Sequence, residues 1–386
     1  MKNLSRKIRI KLVILGSLIV LFGILFGIRY IPDVSEWWSR TISRSYHYVF
    51  GKLADWLPFS LFEVTFFLLI ASVIIWFVFF VKHARKEGAK KSSHRLLTLA
   101  IVAFAVITCY TGTAGMEYYR KAPPIPQYKE VLVDTTKYEE IGRYFIDDLN
   151  YCSSKLEYDE NGSAICPYSY DILNDIMERE FKILSDDYYS QYTVNAKPMY
   201  LTSWAYTQFR ITGVSFAPTG EANFNILNCA GDLPFTIAHE ICHTKGIMRE
   251  NDANIIAMWV CLNADNPYVR YSGYVNVLPS LFEMFKAMNN EDAYGRLYWS
   301  VNENVWKDLK FINDFWTSHN LVEKVFEKIS TFFNDLYLKI LGNQDTSAYV
   351  DHPQGEEIIV PGEPPKYVIR EYSPYQAMLM HLFMNK

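Results

Sequence analysis

A strong charge of one sign is missing from this chain. Its 386 residues carry 38 Lys and Arg against 42 Asp and Glu, a formal net charge of −4, which gives no electrostatic case for nucleic-acid binding. Internal repeats and low-complexity tracts are missing too, which excludes solenoid and linker-like architectures. No small-residue cleavage site follows the first apolar run, so that run reads as a retained anchor rather than a removed signal peptide. Histidine is scarce, with 8 residues, so any pair at a chemically useful spacing merits a close look. Apolar residues, by contrast, make up 50% of the chain and crowd into its N-terminal third. A chain of this length has room for two or three domains, or for one domain plus membrane spans.

Three runs are apolar enough to cross a bilayer as helices. Leu12 to Ile28 holds no charge, Leu61 to Val81 has only Glu63 at its edge, and Leu96 to Met116 holds none. Each is about 17–21 residues, close to what a hydrocarbon core requires. Lys2, Arg6, Lys7, Arg9 and Lys11 precede the first run, and the loop from Lys82 to Arg95 is equally basic. The Arg29–Phe59 connection is dilute in positive charge and holds Trp37, Trp38 and Trp56, residues suited to a membrane interface. These features predict a cytoplasmic N-terminus, an anchor over residues 1–116 and an extracytoplasmic domain over residues 117–386, with the lipid bilayer as a partner.

Beyond the third run, Pro123-Pro124-Ile125-Pro126 makes a stiff exit. Tyr138 to Leu149 and Tyr170 to Tyr189 have helical spacing. Phe209 to Phe216 and Ala222 to Ile226 alternate about the turn Pro218-Thr219-Gly220, which predicts two strands. The second of these is a candidate open edge for an extended peptide. Val275–Met288, Val305–Ser318 and Leu321–Ile340 are amphipathic and predict a helical bundle. Gly342–Lys366 reads as a long loop, and Tyr375–Phe383 as a last short helix. Cys152 and Cys166 flank a polar turn and are candidates for a disulfide outside the cell. The expected fold is therefore an α-helical anchor of three spans plus an α+β, mainly helical domain with a small sheet.

The chemistry centres on His239-Glu240-Ile241-Cys242-His243. Two imidazoles four residues apart share one helix face and can reach one metal ion, and Glu240 can reach a water at that ion. Asp232 as N-cap, Pro234 in the first turn and Gly246 as a stop bound the helix. A second helix follows from about Arg249 to Cys261. It brings Glu250, with Asn254 one turn further on the same face. Catalytic zinc takes three protein ligands and keeps one position open. His239, His243 and Glu250 meet that need if the chain reverses at Gly246. Asp252 competes for the third place, but Glu250 has the better spacing to Asn254, whose side-chain oxygen can accept the free N–H of a ligand histidine. Cys242 points off the two-histidine face and reads as a small buried apolar residue.

Glu250-Asn251-Asp252-Ala253-Asn254 resembles the ExxA(D/N) motif of gluzincin-type metallopeptidases, in which the first Glu is the third zinc ligand. The stretches 219–225, 233–240, 249–254 and 270–274 resemble a bacterial membrane-protein family still catalogued as a domain of unknown function, in which three N-terminal spans precede an HExxH domain. Two features depart from the gluzincin pattern: the gap from His243 to Glu250 is short, and Asn254 stands where Asp is usual. The resemblance implies a zincin-like domain in the bacterial plasma membrane. It implies a zinc-dependent peptidase acting on a peptide or protein substrate, with Zn²⁺ held by His239, His243 and Glu250. Glu240 would be the general base and Asn254 would orient a ligand. Tyr274, with Tyr271, is the candidate to stabilise the oxyanion, since both follow the second helix and carry a phenolic donor. A metal-dependent hydrolase of another envelope bond, or an inactive membrane scaffold, are the competing expectations. The sequence leaves the oligomeric state open.

Overall fold

A computed structural model describes residues 5–88, 95–124, 130–288, 290–319, 354–358 and 366–370. The chain is mainly helical. It opens with α1 (Arg6–Ile28), α2 (Pro32–Trp38), a short π-helical turn (Ser39–Ser43), α3 (Arg44–Asp55), α4 (Leu61–Glu87), α5 (Leu96–Gly112) and α6 (Ala114–Glu117). After β1 (Glu130–Asp134) come α7 (Thr135–Ser153), α8 (Tyr170–Glu180), β2 (Lys197–Met199) and α9 (Ser203–Gln208). The next elements are β3 (Gly213–Phe216), β4 (Glu221–Asn225), α10 (Leu233–Thr244) and α11 (Glu250–Leu262). The remaining described elements are α12 (Pro267–Ala287), α13 (Glu291–Ser300), α14 (Glu303–Ser318), β5 (Gln354–Ile358) and β6 (Lys366–Arg370).

Two of these helices, α1 and α4, are long and apolar enough to cross a membrane, and α5 is a shorter apolar helix of 17 residues. The third apolar run does not continue to Met116. Helix α5 stops at Gly112, Thr113 leaves helical geometry at φ −110° and ψ −99°, and residues 114–117 form a separate buried turn. A second departure lies at Tyr170–Tyr189, where the helix ends at Glu180. Asp186 accepts the Tyr188 N–H at 2.6 Å, a local bond that competes with helical pairing. The Gly342–Lys366 loop contains a strand, β5, paired antiparallel with β6, which in turn pairs with β1. The Leu321–Ile340 and Tyr375–Phe383 helices lie outside the described residues.

The hairpin expected around Pro218-Thr219-Gly220 is present as β3 and β4, paired antiparallel with Val214 opposite Asn223. Its order corrects one expectation. β4 is the central strand, flanked by β3 on one side and parallel β2 on the other, so the edge strand beside the following helices is β3. Cys152 and Cys166 are free thiols, not a disulfide: Cys152 is fully buried, while the Cys166 thiol turns to the Tyr168 carbonyl at 3.3 Å.

Residues 1–116 and 117–386 are not separate packing units. The first turn of α4 and the β4 sheet exchange carboxylates. Glu221 on β4 accepts the N–H groups of Leu61 and Phe62 at 2.9 and 3.0 Å. In return Glu63 accepts the N–H groups of Tyr200, Leu201 and Thr202 at 3.0, 2.8 and 2.6 Å. Glu221 caps orphan donors at the start of α4, where the dipole favours negative charge, and Glu63 gathers three successive N–H groups of the turn that precedes α9. Ser60 donates to Asn223 on the same strand at 2.6 Å.

Candidate metal centre

Helix α10 carries the motif, and every one of its residues except His239 is buried. Leu233, Ile237, Ile241 and Cys242 pack into the main core with α11 and α12 residues. Asp232 occupies the N-cap position, but its side chain does not cap the helix. Its carboxylate accepts Asn276 Nδ2 at 2.8 Å instead, and Ser272 Oγ from α12 accepts the Phe235 N–H at 3.0 Å. The free first-turn donor is thus satisfied from a neighbouring helix.

The other end of α10 positions the site. Gly246 takes φ +87°, the left-handed conformation that glycine tolerates best. The Gly246 N–H bonds the His243 carbonyl at 3.1 Å and the Ile247 N–H bonds the Cys242 carbonyl at 3.2 Å. This is the paired pattern of a Schellman stop. The reversal brings the Ile247 carbonyl to 2.8 Å from His243 Nδ1. A carbonyl only accepts, so Nδ1 carries the proton and the Nε2 lone pair is left for a ligand. Three residues beyond Ile247, α11 begins at Glu250.

The three expected ligands converge. His239 Nε2 lies 3.2 Å from His243 Nε2 and 3.0 Å from a Glu250 oxygen, and His243 Nε2 lies 3.7 Å from the other. Tetrahedral zinc with bonds of about 2.0–2.1 Å sets its ligand atoms about 3.3–3.4 Å apart. The three donors therefore fit one such ion, and His239, His243 and Glu250 form a candidate metal-binding group. Asp252 is not part of it, because its carboxylate pairs with Arg249 at 2.5 Å. Asn254 lines the same cleft as His239 and favours the charged form of its ring.

The charges agree with this geometry. Burial raises the Glu250 carboxyl, but the two histidines outweigh it and hold the pKa down at about 2. Burial disfavours charge on His239, yet the Glu250 bond and charge, with smaller help from Glu240 and Asn254, raise it to about 9. His243 is lowered by burial and by His239, against the pull of Glu250. The two shifts favour a protonated His239 against an ionised Glu250.

Glu240 is buried beside this trio. Burial, reinforced by the Glu250 charge, lifts its carboxyl to about 8, while His239 and the Ser215 N–H pull it down. Its Oε2 has no protein hydrogen-bond partner. The edge strand β3 lies against it so closely that a Cβ at Gly213 would stand 2.6 Å from Glu240 Cγ and 2.7 Å from Oε1. Helix, trio and strand surround a cleft of about 540 Å³, lined among others by Thr212, Ser215, His239, Glu240, Glu250 and Asn254.

The structure corrects the Tyr274 and Tyr271 expectation. Both sit inside α12, whose start is capped by Asn266 accepting Tyr268 and Val269 N–H groups at 3.0 and 3.2 Å. Their side chains point into the core: Tyr274 donates to Asp148 at 2.7 Å and Tyr271 to Asp308 at 2.8 Å. Neither lines the cleft. Two supporting features had no legible signal in the sequence. One is the Ile247 carbonyl, since backbone groups leave no residue signature. The other is Arg120, which donates to Glu36 through Nε at 3.0 Å and Nη2 at 2.9 Å, and to the Gly246 carbonyl at 3.1 Å. It ties the reversal below the metal group to α2.

Fold and site together define a mainly helical protein with a two-histidine, one-carboxylate candidate metal-binding group and two candidate membrane helices. The family model described as "Protein of unknown function (DUF3810)" matches residues 38–349, and the chain belongs to that family. No curated protein and no solved structure matches it.

Proposed function

We propose that this protein is a membrane-anchored, zinc-dependent metallopeptidase with a zincin-like domain that works outside the membrane. The observation that carries the reading is the convergence of His239, His243 and Glu250 with a buried glutamate, Glu240, turned into the same cleft. Two imidazoles and one carboxylate, with a position left open, suit zinc better than harder or redox-active cations. Held by His239, His243 and Glu250, a zinc ion would supply acidification of a water molecule and polarisation of a carbonyl. Glu240 accepts the proton of the attacking water and passes it to the nitrogen that leaves as the peptide C–N bond breaks. The Ile247 carbonyl holds the His243 ring in register, and Asn254 lines the cleft beside His239. The free edge of β3 offers its backbone groups to an extended substrate.

Three membrane spans are supported by how the apolar helices run. Lys11 Nζ donates to Thr98 at 2.6 Å near the start of α1 and α5, and the Phe22 and Phe104 rings are 6.3 Å apart further along. A Cβ at Gly112 would stand 3.4 Å from Leu25 near the end. α1 and α5 are therefore parallel, as a chain that crosses out, back through α4, and out again requires. The basic residues before α1 and after α4 support an N-terminus inside and a cleft outside.

The test is zinc content and turnover of full-length protein purified in detergent. About one zinc per chain is expected for the wild type and for Glu240→Gln, and far less for Glu250→Ala. Hydrolysis of a quenched-fluorescent peptide library should fall by about 10²-fold or more in Glu240→Gln. A wild type that binds no metal, or a Glu240→Gln variant with undiminished turnover, rejects the proposal.

A further inference from the structure

Resting on the spanning reading of α4, we infer that residues 200–209 lie in the outer headgroup layer of the bilayer. They seat the metal cleft on the membrane surface, so its substrates are polypeptides tethered to that same membrane. One continuous stretch of chain carries the argument. Its first half is bonded to the opening turn of α4: Glu63 accepts three successive N–H groups from Tyr200, Leu201 and Thr202, and the Phe62 ring meets Tyr206 at 6.0 Å. A helical turn rises only about 5.4 Å, so a segment held by that turn sits where α4 enters the lipid. β2 is fixed at the same level, because Lys197 donates to the carbonyls of Ala54 and Leu57.

At this level the surface is apolar. Trp204 is 71% exposed, and Tyr200, Leu201 and Phe209 beside it are exposed as well. Trp56 and Phe59, on the approach to α4, are exposed too. Water-facing surfaces of soluble proteins rarely gather large apolar groups in this way, whereas Trp and Tyr favour the headgroup layer. The bilayer that α4 enters is the one occupant continuous with all six.

The second half of the stretch turns straight into the cleft. Arg210 takes φ +55°, the one non-glycine residue at positive φ among the described residues. The turn is held by the N–H groups of Arg210 and Ile211 on the Thr207 and Tyr206 carbonyls, and by Asn225 Nδ2 on the Ile211 carbonyl. Arg210, Thr212, Gly213 and Ser215 then line the cleft. Tyr110 lines it as well, two residues before the end of α5, or about 3 Å along the helix axis. The cleft thus lies close to the outer ends of two apolar helices, with Phe62 of α4 5.1 Å from Phe216 of β3, within reach of a chain that emerges from the same lipid surface.

The experiment places an environment-sensitive fluorophore at Trp204→Cys, or at Leu68→Cys in α4, after Cys109 has been replaced by Ser. The full chain is reconstituted into phosphatidylethanolamine–phosphatidylglycerol vesicles carrying nitroxide lipids. The label at position 204 should be quenched more by shallow nitroxides than by deep ones, and the label at position 68 the reverse. Quenching at 68 with none at 204 overturns the inference and leaves the spanning reading intact; no quenching at either position removes the spanning reading and the inference with it. A quenched-fluorescent peptide on a lipid anchor should be cut about ten-fold faster, or more, than the same peptide free in solution, because tethering raises its effective concentration at the cleft. Equal rates overturn the substrate assignment.

Discussion

Replacing Gly246 by alanine should weaken metal binding without altering any ligand. The residue sits at φ +87°, where an L side chain costs about 1–2 kcal/mol. The new Cβ would also stand 2.8 Å from Arg120 Nη1 and 3.1 Å from Glu117 Oε1. Arg120 is held on Glu36 through two hydrogen bonds and is buried, so it cannot simply swing away. The turn must move, and the Ile247 carbonyl rides on that turn, 2.8 Å from His243 Nδ1. Losing such an outer partner typically lowers metal affinity about 10–100-fold, or about 1.4–2.7 kcal/mol. The assay is competition between the purified protein and a chelator of known affinity, with thermal unfolding of the metal-free protein measured in parallel. Gly246→Asn is the graded control, because asparagine tolerates positive φ better than alanine, and its affinity should fall between the two. A folded Gly246→Ala protein that holds metal as tightly as the wild type would refute the claim that this reversal sets the His243 ring.

Gly213→Ala should do the opposite and disturb the base while sparing the metal. The added Cβ falls 2.6–2.8 Å from three side-chain atoms of Glu240, and a displacement of about 1 Å at a reacting group can cost about 10²-fold in rate. Zinc content should stay at the wild-type level, and loss of metal would count against the reasoning. The metal-free protein should lose stability as pH rises. His239 is raised to about 9, so its proton stabilises the fold fully below its ordinary pKa, near 6.5, and is lost as pH climbs through 9. Thermal melts of metal-free protein should therefore fall between pH 6.5 and 9, and that fall should shrink in Glu250→Gln, which removes the carboxylate that raises the histidine. A flat profile in the wild type would contradict the protonated His239.

Much of this site could be read from residue spacing, because its chemistry is carried by side chains on regular elements. His239 and His243 four apart, a glycine at 246 and a glutamate opening the next helix together describe a helix, a reversal and a third donor, and the three donors do converge. Where the reading failed, tertiary packing overrode local pattern. Tyr271 and Tyr274 carry phenols at the right distance along the chain, but Asp148 and Asp308 draw them into the core. Asp232 stands where a cap belongs, yet Asn276 takes its carboxylate and Ser272 caps instead. The candidate open edge was assigned to the strand at 222–226 because alternation does not disclose the neighbour. β2, only three residues long, lies alongside that strand and makes β3 the edge. Residues 30–60 suggested little beyond an interfacial connection, since their charged residues find partners some 80 to 150 positions away: Glu36 with Arg120, Arg44 with Asp187.

The exchange of carboxylates between α4 and the sheet bears on how the protein can be cut. A soluble fragment beginning after Met116 would keep Glu221 and Asn223 but remove Leu61, Phe62 and Ser60, their partners. It would also strip the N–H groups of Tyr200 to Thr202 of Glu63, and leave Lys197 without the carbonyls of Ala54 and Leu57. A hydrogen bond to a charged group contributes about 1.5–3 kcal/mol, so losing several removes a large share of the margin that keeps a typical domain folded. The strand left frayed would be β4, which braces β3 against Glu240. Removing the N-terminal apolar helices to gain solubility would therefore dismantle the wall of the cleft that such a fragment was meant to preserve.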